Sequence, residues 1–462
     1  MVRIFRHYVS PIKLTLALVD FVVLLAAVYF AEWLRYAMAD LTPDYDAQSN
    51  IAKILLPVLG IPILLGVGGY QSDALRDSRV FFIRLLTAAL GTSVLVSALL
   101  YFLPMLPLWR SILVLTILVG GLSLFVVHWG FLHFSDYSFL SRRVIVLGAG
   151  QSGQELVTFA KQAPEAGLDI VKSVALPGET IVVEGAVSLA DISAFDRFAE
   201  ENEAELILIA DGNLTNLPIE DLIACKLAGV EVKDRLSFYE QVRGYVDLTS
   251  VQAEWIIFSD GFKGGSGWER VAKRLSDICI SAAVLMLALP LMILAGMAVF
   301  LTSKGPVFYR QERVGRNGAS FGLLKFRSMK VDAEKEGQPE WAKENDPRVT
   351  LVGAFLRRTR VDELPQVINV LRGDMSFVGP RPERPFFVSQ LEKDIQFYRE
   401  RHCLKPGITG WAQIQYPYGA SLEDSRRKLE YDLYYIKNYS IFLDLLIVLQ
   451  TIRVLIFPVG VR

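Results

Sequence analysis

Long apolar segments dominate the first third of the chain, at about 14–33, 51–69, 80–103 and 111–133. Each approaches the roughly 20 residues that a helix needs to cross the hydrocarbon core of a bilayer. Few charges interrupt them: Asp20 and Glu32 lie in the first segment and Arg84 lies in the third. The pattern therefore predicts a four-helix transmembrane bundle over 1–139, and a buried bundle of a soluble protein is the less favoured alternative.

The charges that flank these segments predict an orientation. Basic residues precede the first segment, separate the second from the third and follow the fourth: Arg3, Arg6, Lys13, Arg76, Arg79, Arg142 and Arg143. The loop after the first segment is acidic instead, with Asp40, Asp44 and Asp46, whereas Arg35 and Arg110 are isolated exceptions. Because basic loops stay in the cytoplasm, both ends of the bundle are expected to face the cytoplasm.

The pattern changes at 142–156, where RRVIVLGAGQSGQEL reads as a strand, a tight turn and a helix. Gly148, Gly150 and Gly153 have the G-x-G-x-x-G spacing of a turn that binds a dinucleotide pyrophosphate, and they are candidate cofactor-binding residues. Further strands are predicted at Ile170–Leu176, Glu205–Ala210 and Val230–Val232. The spacing predicts a Rossmann-like parallel α/β domain over 140–255, of the kind that binds CoA or NAD.

One part of the dinucleotide pattern is missing from this domain. An acidic residue should close the second strand to bind a ribose, but that strand ends in Ala175, Leu176 and Pro177, and Glu179 lies off the pattern. The domain is also short for a complete dinucleotide fold. A regulatory or dimerising role is therefore favoured over nucleotide binding.

A further apolar segment, from Ile278 to Leu301, carries Pro290 near its middle and basic residues on both sides. Those residues are Lys273, Arg274, Lys304, Arg310, Arg313 and Arg316. Basic residues on both sides conflict with a single crossing, and a proline bends a helix. We predict a re-entrant hairpin over 270–302 that enters the cytoplasmic leaflet, turns at Pro290 and returns. The alternative is a plain spanning helix, which would place the rest of the chain outside the cell.

The stretch 357–383, RRTRVDELPQVINVLRGDMSFVGPRPE, concentrates the candidate chemistry. Asp362 and Glu363 are adjacent and lie among arginines at 357, 358, 360, 372 and 381. Because Pro365 and an apolar run follow the pair, we expect both carboxylates at a helix start, where backbone amides favour anions. Carboxylate oxygens bind Mg²⁺ and guanidinium groups bind phosphate, so the cluster suits a phosphorylated substrate. A capped helix with surface ion pairs is the alternative.

The rest of the C-terminal part predicts short elements around this cluster. Two strands are expected near Gly315 and Gly318, with Lys325 and Arg327 alternating with apolar neighbours, followed by a charged surface loop over 331–349. An aromatic-rich helix over 428–440 is predicted to lie at the bilayer surface. The apolar segment Ile441–Phe457 reads either as a helix in the membrane plane or as an ordinary core helix.

Composition agrees with a membrane protein and excludes several classes. Hydrophobic residues make up 52% of the chain, which is more than in an ordinary soluble protein. The formal net charge of −1 indicates no nucleic-acid partner. The chain has three cysteines and four histidines, whose spacing fits neither a disulfide framework nor a zinc site.

Taken together, the motifs of 267–462 resemble those of the bacterial sugar transferases, the monotopic phosphoglycosyl transferases. The segments that carry the resemblance are the basic-flanked hairpin with Pro290, GPVFYRQERVG, KFRSM, DELPQ, GDMSFVGPRPE and PGITGWAQI. The whole arrangement is similar to the large members, undecaprenyl-phosphate hexose-1-phosphate transferases that begin exopolysaccharide, O-antigen or capsule synthesis. One departure is Leu289, since some members have a small polar residue before the proline.

The resemblance implies a fold and a reaction. It implies a mostly α catalytic domain over 266–462 at the cytoplasmic face of the bacterial inner membrane. It also implies a UDP-sugar donor, undecaprenyl phosphate as acceptor, release of UMP and Mg²⁺ as cofactor. In the family the aspartate of the DE pair is the nucleophile and the glutamate helps to hold Mg²⁺, which here are Asp362 and Glu363. The substrate-binding candidates are Lys325, Arg327, Arg357, Arg381, Glu383 and Asp432.

Two other functions are alternatives to a sugar transferase. A membrane scaffold or nucleotide sensor would use the 140–255 domain to bind a nucleotide. A sugar-nucleotide dehydratase or epimerase would need a Tyr-x-x-x-Lys pair, but Tyr239 is followed by Arg243 at that spacing. A homodimer through the middle domain or the bundle is expected, and the sequence does not name the sugar.

Overall fold

The structure is a computed structural model. It describes residues 2–39, 47–103, 109–134, 141–163, 166–210, 216–249, 251, 253–259, 261–262, 267–330, 347–416, 419 and 421–457. The acidic loop of 40–46 and most of the predicted charged loop, 331–346, lie outside these residues. The chain forms two compact units: Met1–Ile4 with Tyr8–Arg243, and Phe5–His7 with Gly244–Arg462.

Helices fill the first part of the first unit, after the short strands β1 (Val2–Ile4) and β2 (His7–Val9). They are α1 (Pro11–Ala39), α2 (Ala47–Gly66), α3 (Ser78–Phe102) and α4 (Arg110–Phe134). Three of them, α1, α3 and α4, are long and apolar enough to cross a membrane, whereas the apolar part of α2 spans only Asn50–Gly66. The predicted helices are therefore present, and the second is short for a crossing.

The charges inside the bundle are buried and paired. Asp20 accepts hydrogen bonds from Tyr70 at 2.8 Å and pairs with the Nε2 atom of His128 at 2.9 Å. Glu32 forms an ion pair with Lys53 at 2.6 Å. Burying a charge without a partner is costly, so these pairs explain how polar residues fit within apolar helices.

A five-stranded parallel sheet forms the second part of this unit. Its strands are β3 (Arg142–Leu147), β4 (Leu168–Ala175), β5 (Val187–Ser188), β6 (Leu206–Ile209) and β7 (Glu231–Asp234). The order across the sheet is β5-β4-β3-β6-β7. The first strand of the domain thus lies in the centre, and the chain winds outward from it in both directions.

Helices cover both faces of this sheet, which explains its continuous apolar strands. They are α5 (Gln151–Gln162), α6 (Phe195–Glu201), α7 (Ile219–Leu227) and α8 (Arg235–Arg243). On one face Val144 and Val146 pack with side chains of α5 and α8. On the other, Ile145 and Leu147 pack with side chains of α6 and α7.

The second unit is mostly helical. Its helices are α9 (Ala253–Phe258), α10 (Gly267–Thr302), α11 (Leu351–Arg358), α12 (Gln366–Arg372), α13 (Pro385–Asp394), α14 (Trp411–Gln415), α15 (Leu422–Lys437) and α16 (Ile441–Ile456). Its strands are β8 (Phe308–Val314), β9 (Ser320–Phe326), β10 (Ser376–Val378) and β11 (Gly407–Thr409). Strands β8 and β9 form an antiparallel hairpin, and β10 pairs with β11 in parallel.

The helix α10 is apolar and long enough to cross a membrane, and it includes Pro290. The sequence predicts a turn at Pro290 between two helices, whereas the structure keeps this proline inside one helix. A proline removes one backbone hydrogen bond and can bend a helix without ending it. The re-entrant course of 270–302 through a membrane stays a prediction.

Both ends of α10 contact the same unit. Near its start, Arg274 donates hydrogen bonds to the carbonyl oxygens of Val370 and Leu371 at 2.6 and 2.7 Å. Near its end, Ala295 and Val299 are buried in an apolar cluster. The other buried members of that cluster include Phe326, Leu356 and Val361. Met292, close to Pro290, is buried in the same cluster, so the helix packs against the rest of the unit near its start and along its second half.

The aromatic helix α15 lies in the core of the unit. Tyr434 and Tyr435 are buried, as are Leu429 and Leu433. The prediction that this helix lies at a bilayer surface is therefore wrong, because its tyrosines pack inside the protein. Helix α16 has features of both alternatives, a core helix and a helix in the membrane plane, since one face is buried and another apolar face is exposed. The exposed apolar residues are Ile441, Leu445, Ile452, Leu455 and Ile456.

Candidate active site

The adjacent carboxylates lie in a tight turn between α11 and α12. Arg360, two residues after the end of α11, adopts a left-handed conformation with φ of 60°. A 3₁₀ turn, Val361–Glu363, follows, and Pro365 caps the start of α12. The sequence therefore places the pair correctly just before a helix, although the pair forms its own turn rather than the first turn of α12.

Glu363 is held by cations on three sides. Its Oε1 atom accepts from the Nζ atom of Lys325 at 2.9 Å and from the Nη2 atom of Arg381 at 2.8 Å, and Arg360 lies at 3.9 Å. Burial acts to raise the pKa of Glu363, but the charges of these three residues hold it well below its usual range. Glu363 is therefore an ionised carboxylate in a fixed position.

Asp362 differs from Glu363 because its carboxylate is buried and one of its oxygens has no hydrogen-bond donor among the described residues. The residue is 6% exposed, and within the described residues its Oδ1 atom has no hydrogen-bond partner. Burial and the neighbouring charge of Glu363 raise the pKa of Asp362, while Lys325, Arg357 and Arg360 act to lower it. An oxygen that the fold leaves unbonded amid cations is suited to react with, or bind, an incoming group.

Asn369 links the strand that carries Lys325 to the helix that follows the carboxylate pair. It is fully buried on α12, and its side chain accepts from the backbone of Leu324 at 2.9 Å and donates to the carbonyl oxygen of Gly322 at 2.9 Å. These bonds attach β9 to α12. Lys325, on β9, is thereby held opposite Glu363.

A second buried ion pair, Arg401 with Asp432, contacts the backbone of Arg381. Arg401 donates to both Asp432, at 3.1 and 2.7 Å, and the carbonyl oxygen of Arg381, at 3.1 Å. Asp432 is fully buried; burial raises its pKa, and Arg401 opposes that shift. Asp432, predicted to bind substrate, thus acts through Arg401 on the backbone of Arg381. No sequence motif marks Arg401, because its partners Asp432 and Arg381 are distant in the chain.

The remaining predicted residues divide into two groups. Arg357, in the last turn of α11, acts on the charge of Asp362. Glu383 pairs instead with Arg313 at 3.6 Å. Arg327 lies away from the pair, since it donates to the backbone and hydroxyl oxygens of Ser303, each at 2.7 Å. The structure therefore brings Lys325, Arg357 and Arg381 to the carboxylates but not Arg327.

The pair offers a limited set of metal ligands. Among the described residues, no group of three or more histidine, cysteine, aspartate and glutamate side chains is placed to hold a metal ion. Mg²⁺ commonly binds proteins through only one or two carboxylates and completes its shell with water and substrate phosphates. The unbonded oxygen of Asp362 and the carboxylate of Glu363 fit that mode, in which much of the coordination comes from the substrate.

The glycine-rich turn of the α/β domain binds a carboxylate of its own chain. Glu179 accepts hydrogen bonds from the backbone amides of Ala149 at 2.9 Å and Gly150 at 2.7 Å. A side chain at Gly153 would lie 2.1 Å from the carbonyl oxygen of Gly148, so close packing requires glycine there. The amides that a dinucleotide pyrophosphate would use are therefore engaged by Glu179.

Comparison with known proteins extends these observations. The family model described as bacterial sugar transferase matches residues 268–458, which include the carboxylate pair and its cations. The exopolysaccharide production protein PSS of Rhizobium leguminosarum bv. phaseoli is 39% identical over 188 residues, covering 39% of this chain and 94% of that protein. The chain belongs to the bacterial sugar transferase family.

Two longer relatives carry names that describe a reaction. The UDP-N-acetylgalactosamine-undecaprenyl-phosphate N-acetylgalactosaminephosphotransferase of Aeromonas hydrophila is 47% identical over 190 residues, covering 41% of this chain and 45% of that protein. The UDP-glucose:undecaprenyl-phosphate glucose-1-phosphate transferase of Xanthomonas campestris pv. campestris is 34% identical over 333 residues, covering 68% of this chain and 66% of that one. The matched region thus spans about half to two thirds of these relatives.

Proposed function

We propose that this bacterial sugar transferase moves a sugar 1-phosphate from a UDP-sugar to undecaprenyl phosphate, releasing UMP and forming undecaprenyl-diphosphate-sugar. The observation that carries the proposal is the buried carboxylate of Asp362, which has an unbonded oxygen beside the anchored Glu363. The names of the two longer relatives support the same class of substrates. Such a reaction is the first membrane step of an exopolysaccharide, O-antigen or capsule.

In the first step, an oxygen of Asp362 attacks the phosphorus that carries the sugar. A new bond forms between that oxygen and phosphorus, and the bond from the phosphorus to the bridging oxygen breaks. UMP leaves with the bridging oxygen and its electron pair. A carboxylate is a competent nucleophile once it is ionised and needs no additional base. The sugar phosphate is then held as a mixed anhydride on Asp362.

In the second step, an oxygen of the lipid phosphate attacks the same phosphorus. The bond to Asp362 breaks, its carboxylate is regenerated, and the product is a lipid diphosphate sugar. Because each step exchanges one phosphorus–oxygen bond for another, no redox partner or net proton transfer is needed. The donor and the acceptor can therefore use one site in turn.

Positive charge around Asp362 supplies the electrostatic part of the catalysis. Phosphoryl transfer depends mainly on positioning and charge stabilisation. Lys325, Arg357 and Arg381 surround the carboxylates and would contact the diphosphate. Glu363 would hold Mg²⁺, which when bound supplies further positive charge to the diphosphate.

The membrane arrangement follows from the same scheme. A soluble UDP-sugar is available in the cytoplasm, so the carboxylate pair should face the cytoplasm at the inner membrane. Basic residues on both sides of the apolar segment favour a re-entrant course for 270–302. We further propose that Lys273 and Arg274 mark the point where this helix enters the membrane, and that Pro290 marks its deepest part.

The α/β domain is proposed to be a Rossmann-like module that does not bind a dinucleotide. Glu179 supports this view because its carboxylate already occupies the turn amides. The scaffold or nucleotide-sensor alternative thereby loses its main sequence support, which was the glycine-rich turn. A role in forming a homodimer remains the proposed function of this domain.

A donor panel tests the proposal. Purified full-length protein in detergent is incubated with Mg²⁺, undecaprenyl phosphate and each of UDP-glucose, UDP-galactose and their N-acetyl relatives. Release of UMP and formation of a lipid-linked product from at least one donor are expected. Since the named relatives use different sugars, the panel also identifies the sugar. Absence of lipid product across the whole panel would contradict the proposed reaction.

A further inference from the structure

A second charged site lies beside the start of α10. A cavity of about 240 Å³ is lined by five cationic side chains and one carboxylate: Arg270, Lys273, Arg274, Arg316, Lys405 and Asp277. Neither Asp362 nor Glu363 lines it, nor does any of the cations that surround that pair. The cavity is therefore distinct from the candidate active site.

The carboxylate of Asp277 is already used within the protein. It forms an ion pair with Lys273 at 3.0 Å and accepts hydrogen bonds from the side chain of Ser376 and the backbone of Phe377, both at 3.0 Å. Lys273 also pairs with Asp444 at 2.7 Å. Asp277 is thus occupied by Lys273 and by neutral donors, and it leaves the other cations of the cavity without a carboxylate of their own.

Within the described residues, the other four cations of the cavity have no carboxylate in an ion pair with them. Arg274 donates to the carbonyl oxygens of Val370 and Leu371, which are neutral acceptors. Within the described residues, Arg270, Arg316 and Lys405 form no ion pair with a carboxylate. Four cations that lack an ion-pair partner among the described residues repel each other in one cavity, and a bound anion would reduce that repulsion.

The direction of the shift in the pKa of Lys405 agrees with this concentration of positive charge. Burial lowers the pKa of Lys405, and the neighbouring charges of Arg274 and Arg316 lower it further. Asp277 and Asp374 act in the opposite direction without reversing the shift. An anion in the cavity would relieve the repulsion and act to raise the pKa of Lys405 again.

We propose that this cavity binds a phosphate group. Several arginines with a lysine match the charge and the multiple acceptor oxygens of a phosphate better than those of a single carboxylate. The start of α10 also exposes apolar side chains beside the cavity, among them Trp268, Val271 and Leu275. Exposed apolar residues next to cationic side chains are typical of a lipid–water boundary. The headgroup of an anionic lipid is therefore the favoured source of the phosphate.

Binding measurements on the full-length protein test the proposal without donor or acceptor, so they do not depend on catalysis. The protein in neutral detergent is titrated with dihexanoylphosphatidate and, separately, with inorganic phosphate. The test variant combines Arg316→Gln with Lys405→Gln, whose side chains are not deeply buried. The matched control combines Lys393→Gln with Arg399→Gln, two exposed cations that do not line the cavity.

Saturable binding of at least one phosphate probe is expected, and the test variant should weaken it by about tenfold or more, because it loses two charge-assisted contacts. The control should bind like the native chain. Binding of phosphatidate alone identifies a lipid headgroup, whereas equal binding of inorganic phosphate identifies a soluble phosphate. The proposal is overturned if no probe saturates, or if the test variant binds like the control. Binding that survives the test variant but is lost in Arg381→Gln would also overturn it, since the phosphate would then lie at the carboxylate pair.

Discussion

The Nζ atom of Lys325 lies 2.9 Å from the Oε1 atom of Glu363, inside the second unit. The pair joins β9 to the turn that carries both carboxylates. Because the folded-state pKa of Glu363 lies well below its ordinary value of 4.5, its charge stabilises the fold above that value. This contribution is lost as the pH falls through the folded pKa.

Replacing Lys325 should therefore weaken the fold in a pH-dependent way. Lys325→Gln is expected to lower the free energy of unfolding by about 1–3 kcal/mol at neutral pH, since Arg381 still holds Glu363. The loss should shrink only as the pH falls through the lowered pKa of Glu363, where its carboxylate becomes neutral. Denaturant unfolding in detergent at several pH values measures it, with Lys330→Gln, an exposed lysine nearby, as control. Equal stability of the two variants at neutral pH would refute a stabilising pair.

Arg357 should set the pH dependence of the reaction through Asp362. Burial and Glu363 raise the pKa of Asp362 above its ordinary 3.8, and Arg357 partly opposes them. Because the nucleophile must be ionised, the rate should fall on the acid side with a midpoint above 3.8. Arg357→Gln should move that midpoint to higher pH. The profile of kcat/KM measures the shift, and Arg358→Gln, on the exposed neighbour, should leave it in place.

Arg401 is expected to matter for stability although it does not contact the carboxylate pair. Arg401→Gln leaves Asp432 buried without its partner, which typically costs about 3–5 kcal/mol. Asp432→Asn in the same chain removes the unpaired charge and should recover part of the loss. Unfolding of the single and double variants in detergent measures both effects. Arg401→Gln with native stability would show that the buried pair does not stabilise the fold.

The course of α10 can be tested by labelling its two ends. Trp268 and Lys304 are both exposed, so cysteines placed there are accessible to a reagent. In a background with Cys225, Cys279 and Cys403 replaced by serine, both positions should react only with a reagent that reaches the cytoplasmic side. The cysteine-free chain should not react. Labelling of the two positions from opposite sides would establish a spanning helix instead.

The sequence located the carboxylates but not all of their surroundings. Asp362 and Glu363 could be placed before a helix because Pro365 and the apolar residues after it mark a helix start. Lys325 and Arg327 are two residues apart and would share a face on a continuous strand. However, β9 ends at Phe326, so Arg327 leaves the strand and turns towards Ser303.

Other features depend on contacts that local patterns do not record. The role of Arg401 arises from Asp432 and Arg381, which are distant in sequence and meet only in the fold. Tyrosines on α15 suggested a membrane surface because Tyr is common both there and in protein cores. Strand β5, Val187–Ser188, was not predicted because two residues are too short to show an alternating pattern.

The central claim is that Asp362 carries the sugar phosphate. The most direct measurement is the mass of the peptide containing Asp362 after the protein has been incubated with its UDP-sugar and Mg²⁺ but without undecaprenyl phosphate. We expect an added mass of one sugar phosphate on this peptide, lost on addition of the lipid and absent in Asp362→Asn, which should not turn over. Turnover by Asp362→Asn, or an adduct that forms on another residue and passes to the lipid, would show that Asp362 is not the carrier.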